Sequence, residues 1–330
     1  MWEEIEEPTP GPGEAAIEVH ACGIGLTVLN CINGDLDDDA ALLPRVPGHE
    51  LTGRVTAVGP GAADSLVGRM VAAYFYLSCG SCGQCRAGHD SRCTELGGWV
   101  GVHTDGGYAP VTTLPARNLI PLPDGLDPIA ATVVPDAVAT PVHVRSRAKI
   151  GASDRVAVIG AGGGVGIHMI QVAAHAGAEV AGLDILDEKL EAIARLGARP
   201  VQSDRLTALD PDTLFPMGRP TVVVDLVGVA GTARWALDAL DPGGRLVTLT
   251  TFRDNPFEIE SRELVFGETA VIGSRYATKA EVAEAARLVA SGAVTPIIGA
   301  TTGPDGVLEM HAALRRGTLT GRGALAWSRR

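Results

Sequence analysis

Apolar and polar positions alternate from Glu14 to His20 and again from Leu51 to Val58, the two-residue period of half-buried strands. Val71 to Tyr76 and Val111 to Leu114 read as further short strands, with Gly53, Gly59, Gly61, Gly68 and the pair Gly106-Gly107 before Tyr108 as punctuation, and Pro115 to Pro128 as a crossover. The pattern then changes. Val133 to Ala148 is helical in part, and Arg155 to Gly160 is a nearly unbroken apolar strand that enters a glycine turn. An apolar-periodic helix follows from Val165 to Ala176. Strand Glu179 to Leu183, helix Asp187 to Leu196, and strands Thr221 to Leu226 and Arg245 to Thr250 continue the alternation. It predicts an α/β chain: a β-barrel-like first part, a doubly wound parallel sheet, and a tail with helices at Lys279 to Ser291 and Val307 to Arg316.

Composition narrows the class. With 330 residues and 46% hydrophobic content, the chain can bury two cores. Its net charge of -12, with no basic run, argues against a nucleic-acid partner, because phosphate binding needs clustered Lys and Arg. No apolar stretch is long enough to span a bilayer, and the acidic Met1 to Glu7 is unlike a signal peptide. Cytoplasm is the expected location, and a cysteine cluster there points to metal before disulfide.

Four of the six cysteines fall in one loop, Cys79, Cys82, Cys85 and Cys93, spaced C-x2-C-x2-C-x7-C. Two residues between thiolates let successive sulfurs face one centre, and four of them complete a closed tetrahedral zinc shell, structural and not catalytic. Gly80, Gly83 and Gly88 supply the bends. Zinc is favoured over an iron-sulfur cluster, a disulfide pair or unligated thiols.

The glycine turn reads Gly160-Ala-Gly162-Gly163-Gly164-Val165-Gly166, between a strand and a helix, the context that makes such a motif a dinucleotide cradle. Missing side chains admit a pyrophosphate to the helix N-terminus. Asp184 ends the next strand where a carboxylate would accept the adenosine ribose hydroxyls. Ile185 and Leu186 follow, with no Arg for a 2′-phosphate, so NAD is expected in preference to NADP.

Together these residues resemble the zinc-containing alcohol dehydrogenases of the medium-chain dehydrogenase/reductase superfamily. Pro47-Gly-His49-Glu50, Gly53-Arg54-Val55, the four-cysteine lobe, Gly106-Gly107-Tyr108, the glycine turn and Gly321-Arg322-Gly323 stand in that family's order. The resemblance implies a GroES-like catalytic domain over residues 1–136 with a zinc lobe at 74–97. A Rossmann domain over 137–275 and a segment 276–330 returning to the first domain complete the division. It further implies Lys189 as a cofactor contact, a small-molecule substrate, and a homodimer or homotetramer formed near Leu264 to Ser274. A strand ahead of the Pro10 to Glu14 turn is also implied, where this chain has a short acidic lead.

One departure bears on the chemistry. In the family a catalytic zinc is held by a Cys, by the His of Gly-His-Glu, and by a later Cys, Asp or Glu. Here Gly25 stands at the Cys position, Val28 replaces the usual Asp, and Asn30 sits where a His often relays protons, while Thr27, His49, Glu50 and Asp136 remain. His49, Glu50 and Asp136 offer donors that zinc accepts. Two active sites are thus open: alcohol/carbonyl oxidoreduction with zinc polarising oxygen and Thr27 and His49 handling the proton, or metal-free hydride addition to a conjugated carbon-carbon double bond. A catalytically silent cofactor-binding protein is the reading from another class.

Overall fold

The computed structural model describes residues 2–250 and 256–327. The chain divides into two units, one of Met1–Asp136, Ala277–Ser291 and Ile298–Arg330, the other of Ala137–Tyr276 and Gly292–Ile297.

The first unit begins with β1 (Glu14–Ile24), β2 (Glu50–Val58), β3 (Met70–Ala73), β4 (Val111–Pro115) and β5 (Leu119–Pro121). The second unit supplies β6 (Arg155–Ile159), β7 (Glu179–Asp184), β8 (Arg199–Gln202), β9 (Val222–Asp225), β10 (Arg245–Thr248) and β11 (Ala270–Gly273). β12 (Ile298–Thr302) and β13 (Arg322–Ala326) rejoin the first unit, in a sheet ordered β12-β13-β1-β2-β3-β5, with β4 also on β1. β1 therefore pairs with three strands. That explains why it runs four residues beyond the alternating stretch: Ala21 to Ile24 are buried on both faces and show no alternation.

Register sets up the centre of this unit. Gly23 of β1 lies opposite Glu50 of β2 and opposite Ala324 of β13, and Ile24 lies opposite Gly323. Glu50, Gly25 and Arg322 are thereby brought to one end of three adjacent strands. Asp136 reaches the same place from a single π-type turn, Val134–Val138, which precedes the helix Ala139–Ala148. Such turns insert one extra residue and re-aim a side chain.

In the second unit the six strands are parallel in the order β11-β10-β9-β6-β7-β8, the doubly wound arrangement with its reversal point between β6 and β9. Alternate residues divide two cores. Val156, Val158, Val222 and Val224 pack on one face, and Ala157, Ile159, Val223 and Leu246 on the other. Two edge strands, β8 and β11, and the helices Leu26–Ile32 and Ala230–Ala239 were not expected from the pattern. Arg199-Pro200-Val201-Gln202 carries little apolar signal because an edge strand is half exposed.

The tail does not stay with one unit. Gly292–Ile297 belongs to the second, where the Gln171 amide donates to Thr295 O and accepts from Thr295 N–H, at 3.0 and 2.8 Å. His168 adds to the hold. Its Nε2 accepts Ile297 N–H at 3.1 Å, so Nδ1 carries the proton that meets Gly164 O at 2.7 Å. The undivided return of 276–330 is corrected accordingly.

Candidate active site and metal centre

The four-cysteine lobe is built from a turn of helix, Gly83–Arg86, and a short 3-10 turn, Asp90–Arg92. Its sulfurs lie 3.6 Å (Cys79–Cys93), 3.9 Å (Cys79–Cys85) and 3.9 Å (Cys82–Cys93) apart. A tetrahedron with metal–sulfur bonds of about 2.3 Å has edges near 3.8 Å, whereas a disulfide needs about 2.05 Å. The donor geometry fits zinc. Hydrogen bonds lower two of the thiols toward thiolate, from Ser81 onto Cys79 and from the Cys85 backbone N–H onto Cys82, the latter to about 5. Burial raises Cys85 to about 12, so its ionisation depends on the metal.

In the glycine turn, Gly160 has φ +78, a left-handed conformation only glycine adopts without strain. A Cβ on Gly166 would stand 2.3 Å from Gly160 O, so the helix Gly166–His175 starts hard against the end of β6. Gly162 packs against the stem of Lys189, whose Cβ would lie 2.4 Å from an added methyl. Asp184 is buried. Its Oδ2 accepts Gly162 N–H at 2.9 Å and its Oδ1 accepts Ile185 N–H at 2.8 Å. Gly163, Gly164 and Val165 line the turn into the helix. The cradle fits a dinucleotide: bare backbone at a helix N-terminus beside a carboxylate.

The third cluster lies in the first unit. His49, Glu50 and Asp136 bring donor atoms within 4.8 Å of one another. Thr27 sits half-buried on the helix Leu26–Ile32 and makes no hydrogen bond to any of the three. Between the carboxylates lies Arg322. Its Nε donates to Glu50 Oε2 at 2.8 Å, and its Nη2 donates to Glu50 Oε1 and to Asp136 Oδ2, each at 2.8 Å. Arg322 and Glu50 are 5% and 0% exposed, which makes this a desolvated, forked ion pair. Burial alone would lower the Arg322 pKa and raise that of Glu50. The two carboxylates reverse the first, leaving Arg322 raised, while Glu50 stays raised despite the guanidinium.

The His49 ring lies tilted against Phe75 with ring centroids 4.2 Å apart, its Nε2 is 3.6 Å from Asp136, and neither ring nitrogen has a hydrogen-bond partner. That orphaned nitrogen alone would suit a metal. The rest of the donor set does not, because Arg322 already uses both carboxylates.

In the sequence Arg322 stands within Gly321-Arg322-Gly323, a motif that by itself assigns it no role at the site. The signal was present: one cation opens an otherwise apolar strand, Gly323-Ala-Leu-Ala326, in a unit with two carboxylates to neutralise.

Comparison with known proteins agrees with this architecture. The family described as alcohol dehydrogenase GroES-like domain matches residues 11–124, and zinc-binding dehydrogenase matches 164–291. L-galactonate-5-dehydrogenase of Escherichia coli is 30% identical over 297 residues, 89% of this chain and 85% of that protein. Acryloyl-coenzyme A reductase of Metallosphaera sedula is 28% identical, covering 90% and 87%. The solved structure of acetophenone reductase from Geotrichum candidum in complex with NAD superposes with a TM-score of 0.87 at 30% identity, covering 98% of this chain and 93% of that one. The chain belongs to the medium-chain dehydrogenase/reductase superfamily and is an NAD(P)-dependent, alcohol dehydrogenase-like oxidoreductase of the zinc-binding dehydrogenase family.

Proposed function

We propose that this oxidoreductase uses NADH to deliver hydride to a carbon-carbon double bond conjugated with a carbonyl group, on a small-molecule substrate. The observation that carries the reading is Arg322 held between Glu50 and Asp136. One guanidinium matched by two carboxylates has no surplus positive charge with which to stabilise an alkoxide. A conjugated acceptor relaxes that need, because charge arriving with hydride at the β-carbon moves to a more distant carbonyl oxygen. The α-carbon then takes a proton from solvent. Nicotinamide, when bound, supplies the hydride from C4. The relative named acryloyl-coenzyme A reductase supports the same reading.

Reversible alcohol/carbonyl oxidoreduction is the second reading, favoured by the ring nitrogens of buried His49, which have no hydrogen-bond partner. There His49 and Thr27 would hold and pass the proton. NADH oxidation measured with saturated aldehydes and ketones beside conjugated enals and enoyl thioesters separates the two. The first reading expects turnover only of the conjugated compounds; turnover of the saturated carbonyls alone would replace it by the second.

Asp184, with no Arg in the two residues after it, supports NAD over NADP. Cys79, Cys82, Cys85 and Cys93 are proposed to hold structural zinc. Edge strand β11, beside the exposed Val265 and Phe266, is proposed to pair with a second copy in a homodimer or homotetramer. No helix among the described residues is long and apolar enough to cross a membrane, and a cytoplasmic location is proposed.

A further inference from the structure

We infer that the guanidinium of Arg322 has taken the place of the catalytic zinc, so that the chain holds a single zinc ion, in the lobe of Cys79 to Cys93. The exchange is reciprocal, and both halves are visible. Gly25 has φ -128 and ψ 176, extended backbone that any residue adopts, so its conformation does not call for glycine. Space does. A Cβ at position 25 would lie 2.4 Å from Arg322 Cζ and 2.5 Å from Nη1, inside the guanidinium. The side chain that would have ligated metal is gone, and the cation now stands in its volume.

The neighbouring residues are arranged for the same occupant. A Cβ on Gly23 would lie 2.6 Å from Glu50 Oε2, so Gly23 makes room for the carboxylate that takes the fork of Arg322. Glu50 accepts from two guanidinium nitrogens and Asp136 from one, which engages both oxygen ligands. Arg322 is too deeply buried to be a surface side chain resting on the site by chance. Of the donors a metal would use, only the His49 ring nitrogens lack a hydrogen-bond partner among the described residues.

This inference rests on the same cluster as the proposed hydride transfer, but metal content tests it whatever the substrate proves to be. Purified protein is equilibrated with excess zinc, desalted, and its zinc measured against chain concentration. One zinc per chain is the expected result, and two would overturn the inference. Arg322→Ala should free His49, Glu50 and Asp136 and take up a second ion, doubling the zinc content. With cobalt in place of zinc, that second ion should add d–d absorption without more thiolate-to-cobalt charge transfer. The Gly25→Cys/Arg322→Ala protein should add charge transfer as well. A folded Arg322→Ala protein that still binds one ion would show that the guanidinium is not what excludes metal, and would overturn the idea. Should that variant not fold, the wild-type stoichiometry decides.

Discussion

The Cβ position of Gly25 and the guanidinium carbon of Arg322 are 2.4 Å apart, so residue 25 can carry no side chain while Arg322 keeps its place between Glu50 and Asp136. Gly25→Ala should therefore force a displacement in a buried ion pair, at a cost of about 1–3 kcal/mol as for other overpacked interiors. In an Arg322→Ala background the three atoms nearest that methyl are gone. Chemical denaturation of the four proteins of this cycle should show a coupling of at least about 1 kcal/mol. Additive effects would mean the two residues do not compete for one volume.

Glu50 is the partner whose loss should be felt most. It is fully buried and takes three hydrogen bonds from two nitrogens of the guanidinium fork. Breaking a buried pair leaves the other charge uncompensated, typically at about 3–5 kcal/mol. Glu50→Ala is expected in that range by urea unfolding, and Glu50→Gln, which keeps one acceptor, should lose less. A loss under about 1 kcal/mol for Glu50→Ala would show that Arg322 is compensated elsewhere.

The zinc lobe invites a simpler test. Cys82 is one of its four corners, with Cys93 Sγ at 3.9 Å and the Cys85 N–H donating to the Cys82 sulfur at 3.5 Å. Cys82→Ser should remove the bound zinc and lower the melting temperature. It should also open the loop between Cys79 and Cys93 to protease, because little apolar packing holds that loop without metal. Retention of zinc at wild-type content would exclude a four-thiolate site.

How much of this could be read along the chain depends on how local each feature is. The cysteine lobe and the glycine turn each lie within 15 residues or fewer, so spacing alone displayed them. The same holds for the alternation of strand and helix from Arg155 onward. Arg322 and Glu50 are 272 positions apart, and no local pattern records that they meet. The missing Cys at Gly25 is visible in the sequence, but what fills the volume it vacated is not. Gly292–Ile297 was misplaced for a related reason, since its anchor, Gln171, is 124 positions away. Edge strands β8 and β11 escaped notice because half-exposed strands show weak hydrophobic contrast.

Asp154 gives the second unit a defined acid response. Its carboxylate accepts from Thr221 Oγ1 at 2.7 Å, from Gly151 N–H at 3.0 Å and from Arg245 at 2.6 Å, tying β6 to the starts of β9 and β10. Burial pushes its pKa up, but these partners outweigh it and leave the group below the usual 3.8. A depressed carboxylate stabilises the fold above its unfolded pKa and loses that contribution as pH falls through the folded value. Asp154→Asn should thus cost about 1–3 kcal/mol at neutral pH. The difference from wild type should shrink below pH about 3.8. Melting temperatures across pH would check this, and a difference that grows toward acid would refute it.

The carboxylate of Asp184 holds the glycine turn through Gly162 N–H, and it is the group proposed to meet the adenosine ribose. A carboxylate has about four acceptor positions, and backbone N–H groups of Gly162, Ile185 and Leu186 take three, leaving one for a ribose hydroxyl. Replacing it by Asn keeps an acceptor for the turn while removing the charge that would repel a 2′-phosphate. Hydrogen bonds to charged groups contribute about 1.5–3 kcal/mol, so NADH should bind about 10- to 100-fold more weakly to Asp184→Asn. NADPH should bind no worse than to the wild type, because the lost repulsion offsets the lost contact. Calorimetric titration of both nucleotides into both proteins reads the two changes directly. Equal losses for NADH and NADPH would mean that Asp184 only braces the turn, and that NAD preference is set elsewhere.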